Sequence, residues 1–121
     1  MIRGIRGAIT VKENVEEEIV PATERLMREI IKQNGISPET VASVFVSVTE
    51  ELTAAFPAKA LRQIEGWAYV PVMCMQEVPV PGSLPKCIRV MFHADTEICQ
   101  EDIKHVYLEG ATVLRPDLLK A

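Results

Sequence analysis

The sequence predicts an α+β fold, a mixed β-sheet of about five strands packed against one long helix and one or two short ones. Two observations support this prediction. Runs rich in isoleucine and valine recur along the chain, and one long segment has apolar residues at three- and four-residue steps. No repeat or linker interrupts the 121 residues. We therefore expect one domain over residues 1–121, with residues 115–121 as a mobile C-terminal tail.

The first predicted elements are a strand and the long helix. Residues 2–11 are rich in isoleucine and valine, which favour a strand. Asn14 and Glu17 are spaced as a capping box at the start of the helix, and Asn34-Gly35 ends it. Pro21 lies too deep for the first turn, so we expect it to kink the helix or leave one carbonyl unpaired. The apolar positions of the helix are Val15, Ile19, Ala22, Leu26 and Ile30.

The remaining elements alternate between strands and short helical segments. Residues 41–49 are apolar on both faces for much of their length, which is typical of a central strand. "FPAKALRQI" (56–64) predicts a short helix, because a proline opens a run of good helix formers. "WAYVPVM" (67–73) and "KCIRVMFHA" (86–94) predict strands joined by an irregular proline-rich loop. "TEICQEDIK" (96–104) predicts a helical turn or short helix, and "HVYLEGATVL" (105–114) one or two final strands.

Composition excludes several classes of function. A net charge of −4 gives no general attraction to nucleic acid or to an anionic membrane. No apolar run approaches the ~20 residues that cross a bilayer, and the N-terminus lacks the apolar core of a signal peptide, so we expect a cytoplasmic protein. Cys74, Cys87 and Cys99 form no CxxC pair, and together with His93 and His105 they show no usual ligand spacing. We expect reduced thiols and no metal.

Two arginines stand in apolar strands. In residues 87–93, Arg89 shares one face with Cys87, Met91 and His93, while the alternate residues form a core face. Such a charge requires a partner, water or a ligand. The partner could be Glu77 or a neighbouring subunit, and the ligand a small anion. Arg6 has the same setting near the N-terminus.

Other observations favour an oligomer without covalent catalysis. A sheet covered by helices on one face must bury the other, and 48% of the residues are hydrophobic. There is no nucleophile elbow, GxGxxG motif or phosphate loop. By pattern alone, Tyr107 is a core ring, Arg62 a surface arginine, and His105 either a sheet-edge or a satisfied histidine. The residues therefore indicate an oligomeric domain with half-buried arginines suited to a small anion.

Three segments carry a resemblance to a known family: "RGIRGAITV", "FPAKALRQIEGWAYVPVMCMQEVPVPGSLPKCIRVM" and "QEDIKHVYLEGATVLRPDL". They resemble segments of the monofunctional chorismate mutases of the AroH class, which are the trimeric type. The segments occur in the same order as in the family, and the resemblance covers nearly the whole chain. The resemblance implies a homotrimer, a pseudo-α/β-barrel, with active sites in clefts between subunits. It also implies conversion of the dianion chorismate to prephenate by a [3,3] sigmatropic rearrangement, towards phenylalanine and tyrosine, with neither metal nor organic cofactor.

The same resemblance implies roles for individual residues. Arg6 and Arg89 match the arginines that grip the two substrate carboxylates, and Arg89 also matches the group that reaches the ether oxygen. Tyr107 matches a hydroxyl donor to a carboxylate. Glu77 matches the acceptor for the ring hydroxyl, which Cys74 also approaches; Arg89, Glu77 and Arg6 are thus the catalytic candidates. The pocket is lined by the backbone of Met73, Cys74, Met75, Gln76 and Glu77.

Further residues correspond to a wall and a cover. The wall from the adjacent subunit corresponds to Phe56, Ala58, Lys59 and Arg62, and the C-terminal cover to Leu114 and Arg115. Two alternatives remain: a non-catalytic trimer that binds or senses a small anion in the same cleft, and an imine-hydrolysing trimer similar to the reactive-intermediate deaminases. The joint presence of Arg6, Glu77, Arg89 and Tyr107 favours the mutase.

Overall fold

The computed structural model describes residues 1–114, and it confirms the predicted fold class. Its mixed sheet has the strand order β3-β2-β4-β1-β5. Strand β4 pairs antiparallel with β1 and β2, whereas β3 and β5 pair parallel with β2 and β1 at the two edges. The strands are β1 (Ile2–Thr10), β2 (Val41–Val48), β3 (Val72–Gln76), β4 (Cys87–Asp95) and β5 (Val106–Leu108).

Helix α1 (Glu16–Asn34) packs against the inner face of the sheet. Its buried side includes Ile19, Leu26 and Ile30, as predicted, but Val15 before the helix is 40% exposed. Gly35 ends the helix in the left-handed conformation (φ 60°), and its N–H donates to the carbonyl of Ile31. The apolar period therefore located this helix correctly, with a small error at its first turn.

The predicted capping box at the start of α1 is wrong. The Asn14 side chain does not cap the helix; its Oδ1 accepts the backbone N–H groups of Thr53 and Ala54, each at 3.0 Å. Asn14 thus ties the helix start to the loop after β2. The helix continues through Pro21, which is exposed, so water can bond the Glu17 carbonyl that the proline leaves without an N–H donor.

The core lies between the inner face of the sheet and the two helices, α1 and the short α2 (Lys59–Arg62). On β4, Ile88, Val90 and Phe92 are at most 3% exposed, which confirms the predicted core face. Burial of one such side chain stabilises the fold by about 1.5–3 kcal/mol. Gly7 on β1 is required for close packing, because a Cβ atom there would lie 2.9 Å from the Val106 carbonyl oxygen.

Two predicted strands are shorter than expected. Residues 67–70 form turns, and only the end of "WAYVPVM" belongs to β3. The apolar Trp67 is buried without being part of a strand, because its ring packs edge-on against Phe92 in the core, with ring centroids 5.8 Å apart. The segment 105–114 forms the three-residue β5 and then a 3₁₀ turn, Glu109–Val113. A 3₁₀ turn at Gln100–Asp102 confirms the predicted helical turn.

Within residues 1–114 no α-helix packs on the outer face of the sheet, and large apolar side chains are exposed on it. Phe45 on β2 is 40% exposed, and Met73 and Met75 on β3 are 62% and 41% exposed. Arg89 and Arg6 are both half-buried on this face. No helix within residues 1–114 is long and apolar enough to span a bilayer. The outer face is therefore where the predicted site has to lie.

Candidate active site

The strand register places five residues in one row across the outer face. In sheet order they are Met75 on β3, Ser47 on β2, Arg89 on β4, Ala8 on β1 and Tyr107 on β5. Each residue in this row is paired directly with the next one across the two neighbouring strands. The row brings Arg89 and Tyr107 near one another with only the small Ala8 side chain between them. Residues far apart in the sequence thus meet on one surface.

A cavity of about 230 Å³ opens above this row. Arg6 and Arg89 bring two cationic side chains to it, and Tyr107 brings a hydroxyl. The rest of the lining is mainly apolar, and includes Phe45, Met75, Met91 and Leu114. Two cations in an apolar hollow suit an anionic ligand with an apolar body, because charge pairs are stronger where water is scarce. The structure therefore brings together three of the four polar residues that the sequence singled out.

Glu77, the fourth of these residues, contacts the Arg89 side chain. The Arg89 Nε atom is 3.2 Å from Glu77 Oε2, so the predicted ion pair is present. This Nε is itself buried, and it makes no hydrogen bond within residues 1–114, because its N–H is poorly aimed at the carboxylate despite the short distance. The pair is therefore a Coulombic contact without a hydrogen bond from Nε. The Arg89 side chain is still 43% exposed, which leaves it accessible from the cavity.

A second contact holds the Glu77 carboxylate. Ser47 Oγ donates a hydrogen bond to Glu77 Oε2 at 2.9 Å, and the Glu77 backbone N–H donates to the Val48 carbonyl at 2.8 Å. Sequence reasoning did not single out Ser47. The sequence does show that Ser47 lies on the same strand face as Phe45. This position points to the site only when β2 is paired with β4, because the pairing places Ser47 beside Arg89.

Cys87 packs on the same face behind Arg89. Burial raises the pKa of the Cys87 thiol, and the nearby Arg89 guanidinium opposes this shift only in part. The thiol is therefore a neutral packing group. Cys87 clusters with Ala8 and with Ala111 of the 3₁₀ turn Glu109–Val113, and Leu114 packs against them. Leu114, which directly follows this turn, lines the cavity; Arg115 lies outside the described residues.

Five of the predicted residues line a second, larger cavity of about 530 Å³ at the β3 edge. Phe56 is 74% exposed beside it, and Lys59 forms an ion pair with Glu16 at 3.4 Å. The Cys74 side chain packs against the core and lines this second cavity. It therefore lies on the opposite face of the sheet from Arg89. The residues of the prediction that line the second cavity are Phe56, Lys59, Cys74, Met75 and Gln76.

Within one chain, the predicted residues that line a cavity are thus divided between two cavities. Met75 is the residue that lines both cavities. Met73, Ala58 and Arg62 line neither of the two, and Arg62 is exposed, as the sequence pattern predicted. In residues 1–114 there is no cluster of three histidine, cysteine, aspartate or glutamate side chains that could hold a metal ion.

Fold and site together define a class: a small α+β protein with a cationic, partly apolar cleft, suited to a small organic anion, on the outer face of its sheet. Comparison with known proteins narrows this class. The chain belongs to the family described as chorismate mutase type I, whose sequence pattern matches residues 2–118.

Individual relatives agree over nearly the full length. The chain is 55% identical over 118 residues to chorismate mutase AroH of Bacillus subtilis, which covers 98% of this chain and 93% of the relative. It is 52% identical over 122 residues to chorismate mutase AroH of Thermus thermophilus, with 100% and 99% covered. A solved chorismate mutase from Clostridium thermocellum superposes with a TM-score of 0.88 at 50% identity, over 91% of this chain and 97% of that one.

Proposed function

We propose that this protein converts chorismate to prephenate by an intramolecular [3,3] sigmatropic rearrangement, in the biosynthesis of phenylalanine and tyrosine. The observation that carries the proposal is the meeting of Arg6, Arg89 and Tyr107 around one small cavity, in a chain that belongs to the chorismate mutase type I family. Chorismate carries two carboxylates on a compact, largely apolar body, and this cavity offers two cations, one hydroxyl and apolar walls.

Each polar residue then has a role that its position supports. Arg6 and Tyr107 hold carboxylates at the β1 and β5 side of the cavity. Arg89, at the centre of the row, binds the ether oxygen and a carboxylate of the substrate. Glu77, held by Ser47, accepts the hydrogen bond of the ring hydroxyl. A buried Nε–H without a well-aimed acceptor suits a bound oxygen at this point.

The reaction explains why no nucleophile, acid or base is needed. The ether carbon–oxygen bond breaks while a carbon–carbon bond forms within one molecule, and no group or proton leaves. The protein contributes in two ways. The cleft holds the enolpyruvyl side chain over the ring in the chair-like geometry of reaction. Arg89 stabilises the negative charge that grows on the ether oxygen, which it binds more tightly in the transition state than in the ground state.

The complete site requires a second copy of the chain in this proposal. The Arg89 cavity and the cavity with Phe56 and Lys59 are separate within one chain. The outer face also exposes Phe45, Met73 and Met75, an apolar surface that a soluble monomer would be expected to cover. A homotrimer, with the three sheets packed as a pseudo-α/β-barrel, buries this surface. It also brings the neighbour's wall, Phe56, Ala58, Lys59 and Arg62, to the cavity.

Further properties belong to the same proposal. Residues 1–121 form one domain that acts in the cytoplasm. The assembled pocket is lined by Met73, Cys74, Met75 and Gln76. A cover over this pocket is supplied by Leu114 and Arg115 near the C-terminus of the chain. The substrate is a small dianion, and neither a cofactor nor a metal takes part.

The direct test follows the loss of chorismate absorbance with the purified protein and identifies prephenate as product. Turnover with prephenate formation supports the proposal. Binding of chorismate without turnover would instead identify a non-catalytic anion-binding protein, and hydrolysis of an imine substrate would identify a deaminase-like enzyme. Either result would overturn the proposal.

A second test addresses the shared site. Arg89→Ala and Lys59→Ala remove one residue from each of the two cavities. We expect each variant alone to be impaired. If active sites lie between subunits, co-expression of the two variants produces mixed trimers in which some sites have both native residues, and activity rises above that of either variant alone. Mixed assemblies without recovered activity would place the whole site in one subunit.

A further inference from the structure

His105 makes a contact with Arg6 that the roles above do not explain. The backbone N–H of Arg6 donates a hydrogen bond to His105 Nδ1 at 2.9 Å. The ladder between β1 and β5 starts one residue later, with the pair Gly7 and Val106. The imidazole therefore takes the place of a backbone acceptor just before β5 begins. It extends the attachment of β1 to β5 as far as Arg6.

This hydrogen bond defines the state of the ring. Because Nδ1 accepts a hydrogen bond from a backbone N–H, it carries no proton itself, and the imidazole is the neutral Nε2–H tautomer. The ring is half-buried, and burial lowers the pKa of His105 below its ordinary value. Protonation of Nδ1 would remove the acceptor and place a second donor against the Arg6 N–H. The contact therefore exists only with the uncharged ring.

We propose that His105 is a positioning residue for Arg6: its unprotonated Nδ1 holds the Arg6 backbone against β5 and so fixes where the Arg6 guanidinium enters the cavity. The proposal rests on the proposed function. On its other side β1 is held by β4, where Arg6 pairs with Met91. The long Arg6 side chain carries any backbone displacement to the site, where misplacement of a binding group by about 1 Å can cost up to a hundredfold in rate.

Two substitutions separate the hydrogen bond from the packing of the ring. His105→Phe keeps a ring but has no acceptor. His105→Asn is smaller, yet its side-chain oxygen can occupy about the position of Nδ1, and it does not titrate. We expect His105→Phe to raise KM for chorismate about three- to tenfold, the effect of one ordinary hydrogen bond, with a much smaller change in kcat. His105→Asn should recover most of the native KM.

A double-mutant cycle shows whether the effect passes through Arg6. In an Arg6→Ala background the guanidinium is absent, so His105→Phe should raise KM no further. If His105→Phe raised KM by the same factor with and without Arg6, His105 would act on the site by another route, and the proposal would be wrong.

The pH profile provides a further readout. Burial lowers the pKa of His105, so the ring becomes protonated only below the ordinary histidine range. KM of the native protein should therefore rise as the pH falls below that range, because protonation removes the acceptor, whereas His105→Asn should lack this rise. Charged side chains on the elements around the ring are part of the same comparison, since all of them are retained in the variant. They are Arg3 and Arg6 on β1, Lys32 in the last turn of α1, and Glu101, Asp102 and Lys104 in the segment before β5.

Amide hydrogen exchange tests the contact without any activity measurement. The Arg6 N–H should exchange faster in His105→Phe than in the native protein or in His105→Asn. Equal exchange in all three would refute the contact. If the native protein does not turn over chorismate, the proposed function fails while this exchange result still stands. If it does, and His105→Asn behaves like His105→Phe in KM, the positioning role fails alone.

Discussion

Replacement of Arg89 by alanine should separate catalysis from stability. The ion pair of Arg89 with Glu77 spans 3.2 Å, but the two side chains are 43% and 32% exposed. At this distance two charges attract by about 1 kcal/mol in a water-like medium. Measured pairs of this exposure contribute about 0–1 kcal/mol. With the loss of some packing by the arginine stem, we expect Arg89→Ala to reduce the free energy of unfolding by about 1–2 kcal/mol.

The expected catalytic loss is much larger. Removal of one preorganised donor from a developing oxyanion costs about 3–4 kcal/mol, or a hundred- to a thousandfold in rate. A fixed cation in a cavity with mainly apolar walls should cost at least as much. We therefore expect kcat to fall by at least a hundredfold in Arg89→Ala, and substrate binding to weaken much less.

Steady-state kinetics of chorismate loss and urea unfolding at one protein concentration measure both quantities. Arg89→Lys is the matched control, because it keeps the charge but not the planar fork, and it should also be severely impaired in kcat. If chorismate affinity collapsed while turnover of bound substrate stayed within tenfold of the native value, the electrostatic role of Arg89 would be refuted. A stability loss above about 4 kcal/mol would refute the argument that the ion pair is weak.

Three further predictions follow from the structure. Arg6→Ala should mainly raise KM for chorismate with a smaller effect on kcat, because Arg6 holds a carboxylate away from the breaking bond; kinetics that showed a loss of kcat alone would contradict this. Gly7→Ala should destabilise the protein by about 1–3 kcal/mol in urea unfolding, because its Cβ would lie 2.9 Å from the Val106 carbonyl oxygen. Cys99, which is exposed, should react rapidly with a thiol reagent at neutral pH, whereas Cys87 should react only on unfolding, since burial raises its pKa and blocks access; rapid modification of Cys87 in the folded protein would show that this packing is absent.

Local periodicity predicted which face of strand β4 and of helix α1 is buried. The alternation of Ile88, Val90 and Phe92 with polar or sulfur-bearing residues is enough to place Arg89 opposite the core. This works because side chains in a strand point alternately to the two faces, so burial of one face leaves a record in the sequence. The helical period located α1 for the same reason.

Elements whose character depends on distant contacts were predicted less well. Asn14 has the spacing of a helix cap, but its side chain bonds to Thr53 and Ala54, which no local rule identifies. Residues 67–70 are apolar enough for a strand, yet Trp67 is buried by Phe92 from another part of the chain. In both cases a competing tertiary contact was more favourable than the local preference.

The sequence by itself determined the two layers, the charge-bearing outer face and, through its resemblance, the family. Tertiary structure decided that Arg6, Arg89 and Tyr107 share one cavity while Phe56 and Lys59 lie at another, and that His105 serves as an acceptor for the Arg6 backbone. The physical reason is that strand order and register are set by pairing between segments far apart in the chain. Periodicity records which side of a strand is buried, but not which strand lies beside it.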